Sequence, residues 1–277
     1  MKDAGSEWAG EKGRFWAEHA DWFSALLADF IPTVVEGAAF APGERVLDVG
    51  CGGGDLSMAA AGAVGPGGSV LGVDLSADEL DVARVRAAQR GIDNVEFREA
   101  DASSGDLGPR PADVLISRFG VMFFADPVAA FTHLRAAVRP GGRLAFVCWQ
   151  SRDDNEWTTV PALALADVVP LAPPAADAPP DGFAFQDPAR VRGILDAAGW
   201  IDIDLIDTAR TVHLGDSADE AVAFIQQMDY AKAALEPASP EQRAEALESV
   251  RAAFQTQAGA GGDIDLPGRV WLVRARA

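Results

Sequence analysis

The chain has 277 residues, 49% hydrophobic and 23% charged, an ordinary globular balance in a length that can bury a core without disulfide or metal staples. Its formal net charge of −19 repels phosphate backbones and anionic headgroups, which argues against nucleic acid and membrane surfaces as partners. The start lacks the apolar core of a signal peptide, no apolar run is long enough to span a bilayer, and Cys51 and Cys148 read as reduced buried thiols, so a cytoplasmic protein without membrane insertion is expected.

Residues 12–39 are expected as one helix, because Phe15, His19, Trp22, Phe23, Leu26, Leu27 and Phe30 recur at helical spacing on an aromatic face. From residue 45 the pattern changes to short apolar runs alternating with helices. Strands are expected at 46–49, 69–73, 95–98, 113–117 and 143–149. Helix starts are marked by Ser76-x-x-Glu79, read as a capping box, and by Asp126-Pro127. Residues 150–187 carry so many prolines that an insertion loop is expected there. Asp187-Pro188 opens a further helix, and strands follow at 201–207 and 269–277. Between those two strands, residues 209–267 hold two capped helices, begun by Ser217-x-x-Glu220 and Ser239-Pro240-x-Gln242. Strand–helix alternation over this length predicts an α/β fold with a parallel sheet, and a ligand site beyond the carboxyl ends of its strands.

The loop after the first strand reads Asp48-Val49-Gly50-Cys51-Gly52-Gly53-Gly54-Asp55. Its glycines let a ligand lie against bare backbone. A dinucleotide loop of G-x-G-x-x-G type would need glycine at position 55, where Asp55 would meet the pyrophosphate with like charge. A loop flanked by Asp48 and Asp55 suits a ligand with a positive end. Asp74, at the end of the second strand, is placed to accept both hydroxyls of a ribose, and Asp101, after the third, to accept from an adenine amino group.

With VLDVGCGGG, VLGVDLS, EADAS, ADVLISRFGVMFFADP and LRAAVRPGGRLAFVCW in this order over about residues 45–150, the chain resembles the class I S-adenosylmethionine-dependent methyltransferases. The SRFGVMFF piece resembles the small-molecule enzymes of ubiquinone-synthesis and natural-product type. The resemblance implies a Rossmann-like seven-stranded sheet of order 3-2-1-4-5-7-6 with strand seven antiparallel, helices on both faces and helical lid insertions. It implies one methyltransferase domain over 1–277, with an N-terminal helical lid at 1–40, a cofactor-binding core at 41–149, the loop insertion at 150–187 and a second helical lid at 209–267. The cofactor implied is S-adenosylmethionine, released as S-adenosylhomocysteine. Asp48, Gly50, Cys51 and Gly52 would face its methionine portion, Asp74 its ribose, Leu75 the adenine face, Asp101 and Ala102 the adenine edge. Ser117 and Arg118 would border the sulfonium and the acceptor. No metal is implied.

The acceptor side is thinner. His19, His213 and Tyr230 are the candidates for proton removal or acceptor orientation, and Trp16, Phe23, Trp149 and Trp157 are candidate pocket walls. The expected partner is a small, hydrophobic or aromatic acceptor methylated on oxygen, carbon or nitrogen. A homodimer remains open. The competing reading is a fold that binds the same cofactor but performs a non-methylating reaction such as cyclisation.

Overall fold

The computed structural model describes residues 8–108, 110–172 and 180–277. Their packing divides into two compact units. The first comprises residues up to Gln150 together with 180–208 and 270–277; the second comprises 151–172 and 209–269.

The first unit opens with three short helices, α1 (Glu11–Glu18), α2 (Ala20–Leu26) and α3 (Phe30–Ala38), where a single helix was expected. The breaks fall at His19 and at Leu27–Asp29. His19 leaves helical geometry (φ −113, ψ 23), and its ring Nδ1 lies 2.8 Å from Phe15 O, a carbonyl that its own backbone N–H also uses. The aromatic spacing carries across these breaks, so periodicity alone cannot register them.

Then follow β1 (Arg45–Val49), α4 (Asp55–Val64), β2 (Ser69–Asp74), α5 (Ala77–Gln89), β3 (Val95–Glu99), β4 (Ala112–Arg118), α6 (Pro127–Ala136) and β5 (Val138–Trp149). Strands β1 to β5 pair in parallel. The central strands β1 and β4 carry nearly continuous apolar runs, as strands covered on both faces require, and β4 buries every residue from Val114 to Ser117, while the edge strand β3 alternates and buries only Phe97. The Arg139–Gly142 turn is carried within β5 as a break in register between its pairing to Ala112 and to Val114. Helix α6 starts as expected, with Asp126 accepting from Ala129 N and Pro127 in the first turn.

The chain passes through α7 (Glu156–Ala166) and α8 (Pro188–Ala197) to β6 (Ile201–Gly215), α9 (Ala218–Ile225), α10 (Asp229–Leu235), α11 (Pro240–Gln255) and β7 (Ile264–Arg276). The seven strands form one sheet of order β3-β2-β1-β4-β5-β7-β6, with β7 antiparallel to β5. Both last strands are longer than the sequence indicates: residues 201–208 and 270–276 belong to the first unit, and 209–215 and 264–269 to the second.

The second unit is made from the two segments expected as insertions. Its first segment is not a loop: α7 runs through Pro161, which removes one backbone donor without ending the helix, and packs on α11. Helix α11 has a complete capping box, in which Ser239 and Gln242 satisfy one another's backbone N–H groups. Among the described residues no helix is long and apolar enough to cross a membrane.

Candidate functional site

The carboxyl ends of β1, β2 and β4 bring together the glycine loop, Asp74 and Arg118. Gly50 N and Cys51 N both donate to Val73 O (2.9 and 3.1 Å), which pins the loop to β2. Gly50, Gly52 and Gly54 have φ of 66°, 49° and 83°, the left-handed region that a side chain disfavours. A Cβ on Gly50 would stand 2.7 Å from Gly120 Cα, so the β1 loop and the turn after β4 meet glycine to glycine. Ser117 locks that meeting: its Oγ donates to Val49 O (2.7 Å) and accepts from Gly120 N (3.2 Å). Its side chain is fully buried and spent on these bonds, which corrects the expectation that it borders a ligand. Cys51 is corrected in the same way. Its thiol packs with Met58, Leu80, Ala83, Ala87 and Phe97, and only its backbone belongs to the loop.

Four carboxyls and two guanidiniums surround the loop. Asp48 is buried; its Oδ2 accepts from Ser57 Oγ (2.6 Å), while its Oδ1 is buried with no partner. Burial pushes its carboxyl up to about 7, against the Ser57 hydrogen bond and Arg118. Asp74 Oδ2 accepts from Gly52 N (2.9 Å) and Oδ1 from Ser76 N (3.0 Å). Burial raises it above the usual carboxylate range in spite of these bonds. Glu79, in the first turn of α5, is 6% exposed and pushed up to about 8, first by burial and then by Asp74. Asp55 accepts from Ser24 Oγ (2.5 Å) and lies 3.6 Å from Arg86 and 3.7 Å from Arg118.

A carboxyl whose folded value is raised costs stability as pH climbs from its unfolded value to its folded one, because the unfolded chain ionises first. For Asp48 that window runs from 3.8 to about 7. The free protein is therefore expected to lose stability between those limits. Asp48→Asn should remove a few kcal/mol of that loss, on the order of 1.4 per pKa unit. Melting temperature followed from pH 4 to pH 8 checks it; parallel slopes for the two proteins would refute it.

The N-terminal helices lie against this site within the first unit. Arg86 donates to Ser24 Oγ (2.9 Å) and Asp21 Oδ1 (2.5 Å), and Arg118 donates to Leu27 O (3.1 Å). A Cβ on Gly13 would collide with Ser76 Oγ, so α1 comes down on the β2–α5 turn, beside Asp74. Trp16 and Phe23 stack at 3.5 Å between ring centroids. After β4, Phe119 sits in the left-handed region (φ 61), a strained state for a bulky residue, stacked on Trp149 at 4.3 Å, with Phe30 edge-on to both. Phe183 also faces Trp149, at 6.3 Å.

The other expected residues are less concentrated. Asp101 follows β3 and is exposed. Its Oδ1 accepts from Ser103 N and Oγ (2.8 and 2.7 Å) and its Oδ2 from Ser104 Oγ (2.9 Å), which leaves one lone pair free. Burial is the largest single influence and raises this carboxyl, but the serine hydrogen bonds and His133 together hold it below the usual range. Ala102 is buried beside it and Leu75 is partly buried after Asp74. His19 is exposed, at the α1–α2 junction. His213 lies on the part of β6 that belongs to the second unit and pairs with Asp265 (2.8 Å) and Asp216 (3.4 Å). Tyr230, in the second unit, has a buried hydroxyl without a partner, and burial raises its pKa. Trp157, also in the second unit, donates to Asn155 Oδ1 (3.1 Å). His19 thus stands at the α1–α2 junction of the first unit, and His213, Tyr230 and Trp157 belong to the second. Ser24, Glu79, Arg86, Phe119 and Gly120 are the residues that sequence reasoning passed over. Only the glycine after Phe119 offered a signal for that turn.

Residues 40–166 match the family model described as "Methyltransferase domain". An uncharacterized protein of Mycobacterium tuberculosis is 32% identical over 209 residues, 72% of this chain and 72% of the relative. Nocamycin O-methyltransferase of Saccharothrix syringae is 31% identical over 170 residues, 58% of this chain and 61% of its own length. Among solved structures, the [4+2]-cyclase SpnF shares the fold, with a TM-score of 0.57 at 17% identity, covering 100% of this chain and 97% of that one.

Proposed function

Because the chain belongs to the class I S-adenosylmethionine-dependent methyltransferases, we propose that it methylates a small apolar or aromatic acceptor, on oxygen or carbon. The observation that carries the cofactor half is Asp48: a buried carboxyl oxygen without a partner, beneath a glycine loop, asks for a cationic donor. The ammonium of the cofactor's methionine portion is such a donor. When bound, the cofactor supplies an activated methyl group on its sulfonium.

In this reading Gly50 and Gly52 offer bare backbone to the methionine chain, and Asp74 accepts from the ribose hydroxyls with the lone pairs its two backbone bonds leave over. Leu75 covers the adenine face, and the free lone pair on Asp101 meets the adenine amino group beside Ala102. Arg118 borders the acceptor side. The apolar character of the acceptor is supported by Phe30, Phe119 and Trp149, and its oxygen by the likeness to an O-methyltransferase.

The histidines are engaged elsewhere: His19 on Phe15 O, His133 on Gly105 O, His213 on Asp265. This favours an acceptor that is already a good nucleophile, with rate gained by alignment of acceptor and methyl, worth about 7–11 kcal/mol in favourable cases. Calorimetric titration with S-adenosylhomocysteine is expected to give micromolar binding. Incubation with S-adenosylmethionine and a panel of phenols and enolisable polyketides should then give a product heavier by one methyl group. No binding would refute the cofactor reading. A product of unchanged mass would replace methyl transfer by cyclisation or another isomerisation.

A further inference from the structure

The sequence Ser76-x-x-Glu79 is a capping box, and in that motif the glutamate carboxyl closes on the backbone N–H of the serine. The structure makes only half of it. Ser76 Oγ accepts from Glu79 N (3.3 Å), but Ser76 N donates to Asp74 Oδ1 instead. The complete box at Ser239 and Gln242 shows that the motif closes in this same chain when no competing acceptor stands nearby. Displaced by Asp74, the Glu79 carboxyl is left with no hydrogen bond or ion pair among the described residues, although it is only 6% exposed. It leans over the glycine loop: a Cβ on Gly52 would lie 2.9 Å from Glu79 Oε1. A carboxyl held this close to the glycine loop, with only the charges of Arg118 and Arg86 to offset its burial, is not explained by helix capping.

We infer that Glu79 is a further cofactor-contacting carboxyl beside Asp48, Asp74 and Asp101, which accepts from S-adenosylmethionine at the Gly52–Asp74 corner and whose charge favours this cationic cofactor over its neutral thioether product. The inference rests on the methyltransferase reading above. The charged groups that bear on Glu79 are Asp74 from β2, Arg118 from β4 and Arg86 from its own helix. In the free protein at neutral pH Glu79 holds its proton, since burial and Asp74 push it up to about 8. As a cationic ligand enters, that proton passes to water and the carboxylate formed pairs with the ligand.

The test is calorimetric binding of S-adenosylmethionine and S-adenosylhomocysteine at pH 8.5 to wild type, Glu79→Gln, Glu79→Asp and Asp74→Asn, with a melting curve for each. Glu79→Gln is expected to weaken S-adenosylmethionine about tenfold and S-adenosylhomocysteine about threefold or less, so that the ratio of the two shifts. Its melting temperature should hold or rise, and Glu79→Asp, which keeps the charge, should recover part of the ratio. Equal weakening of both ligands with a lower melting temperature would overturn the inference and make Glu79 a structural carboxyl. Unchanged binding in Glu79→Gln, with binding lost in Asp74→Asn, would also overturn it while leaving the methyltransferase reading intact. A wild type that binds neither ligand would overturn both.

Discussion

Asp74→Ala is expected to abolish cofactor binding at micromolar concentrations while leaving the fold in place. Both carboxyl oxygens of Asp74 already accept a backbone N–H, from Gly52 and from Ser76, and keep lone pairs for a diol. Hydrogen bonds to a charged group are worth about 1.5–3 kcal/mol each, so losing two ligand hydroxyls weakens binding roughly 10²–10⁴-fold. The fold survives because a substitute stands beside the vacated position. With Asp74 gone, Glu79 can take the Ser76 N–H and complete the capping box that the sequence spells out. The net cost to folding should therefore stay near 1 kcal/mol, about one lost cap. Titration with S-adenosylhomocysteine and a melting curve on the same sample check both halves. Retained affinity, or a collapse in melting temperature, would count against this account of Asp74.

Gly50→Ala is expected to be far more damaging than its single methyl suggests. The new Cβ would sit 2.7 Å from Gly120 Cα, at a residue whose φ is 66°. Neither backbone can yield, since Ser117 ties Val49 O to Gly120 N across the contact. Strain and clash together should cost about 3 kcal/mol. That corresponds to a fall of about 6–12 °C in melting temperature for a chain of this size. Gly91→Ala is the control: Gly91 has a similar φ of 65°, but nothing lies within 4 Å of its Cβ position. It should lose only the left-handed penalty, about 1 kcal/mol. Equal losses at the two positions would mean that the glycine-to-glycine approach is not tight in solution.

What could be read from the chain follows from how local the causes are. The glycine loop, Asp74 and the helix starts at Asp126, Asp187, Ser217 and Ser239 are visible because period, turn chemistry and caps act over a few residues, whereas the strand order came only through the family resemblance. Glu79 was misread for the opposite reason. Its local pattern is a perfect cap, and the competitor that displaces it arrives from the end of the preceding strand, with a geometry that only the folded turn sets. Phe119 gave no sign of its left-handed backbone. Its conformation is imposed by Gly120 pressing on Gly50 and by the Trp149 ring, both distant in sequence. The break at His19 and the helix through Pro161 escaped because spacing reports a buried stripe, and prolines a propensity, while tertiary packing decides continuity.

The clasp of Ser24 and Asp21 on Arg86 has a practical side for anyone handling the protein. The stretch before Arg45 resembles a dispensable leader when drawn beside the sheet. A chain trimmed to the sheet would nevertheless leave Asp55 facing Arg86 and Arg118, with Ser24, Asp21 and the Leu27 carbonyl gone. Truncations that remove Asp21, Ser24 and Leu27 are thus alterations of the surroundings of the glycine loop itself.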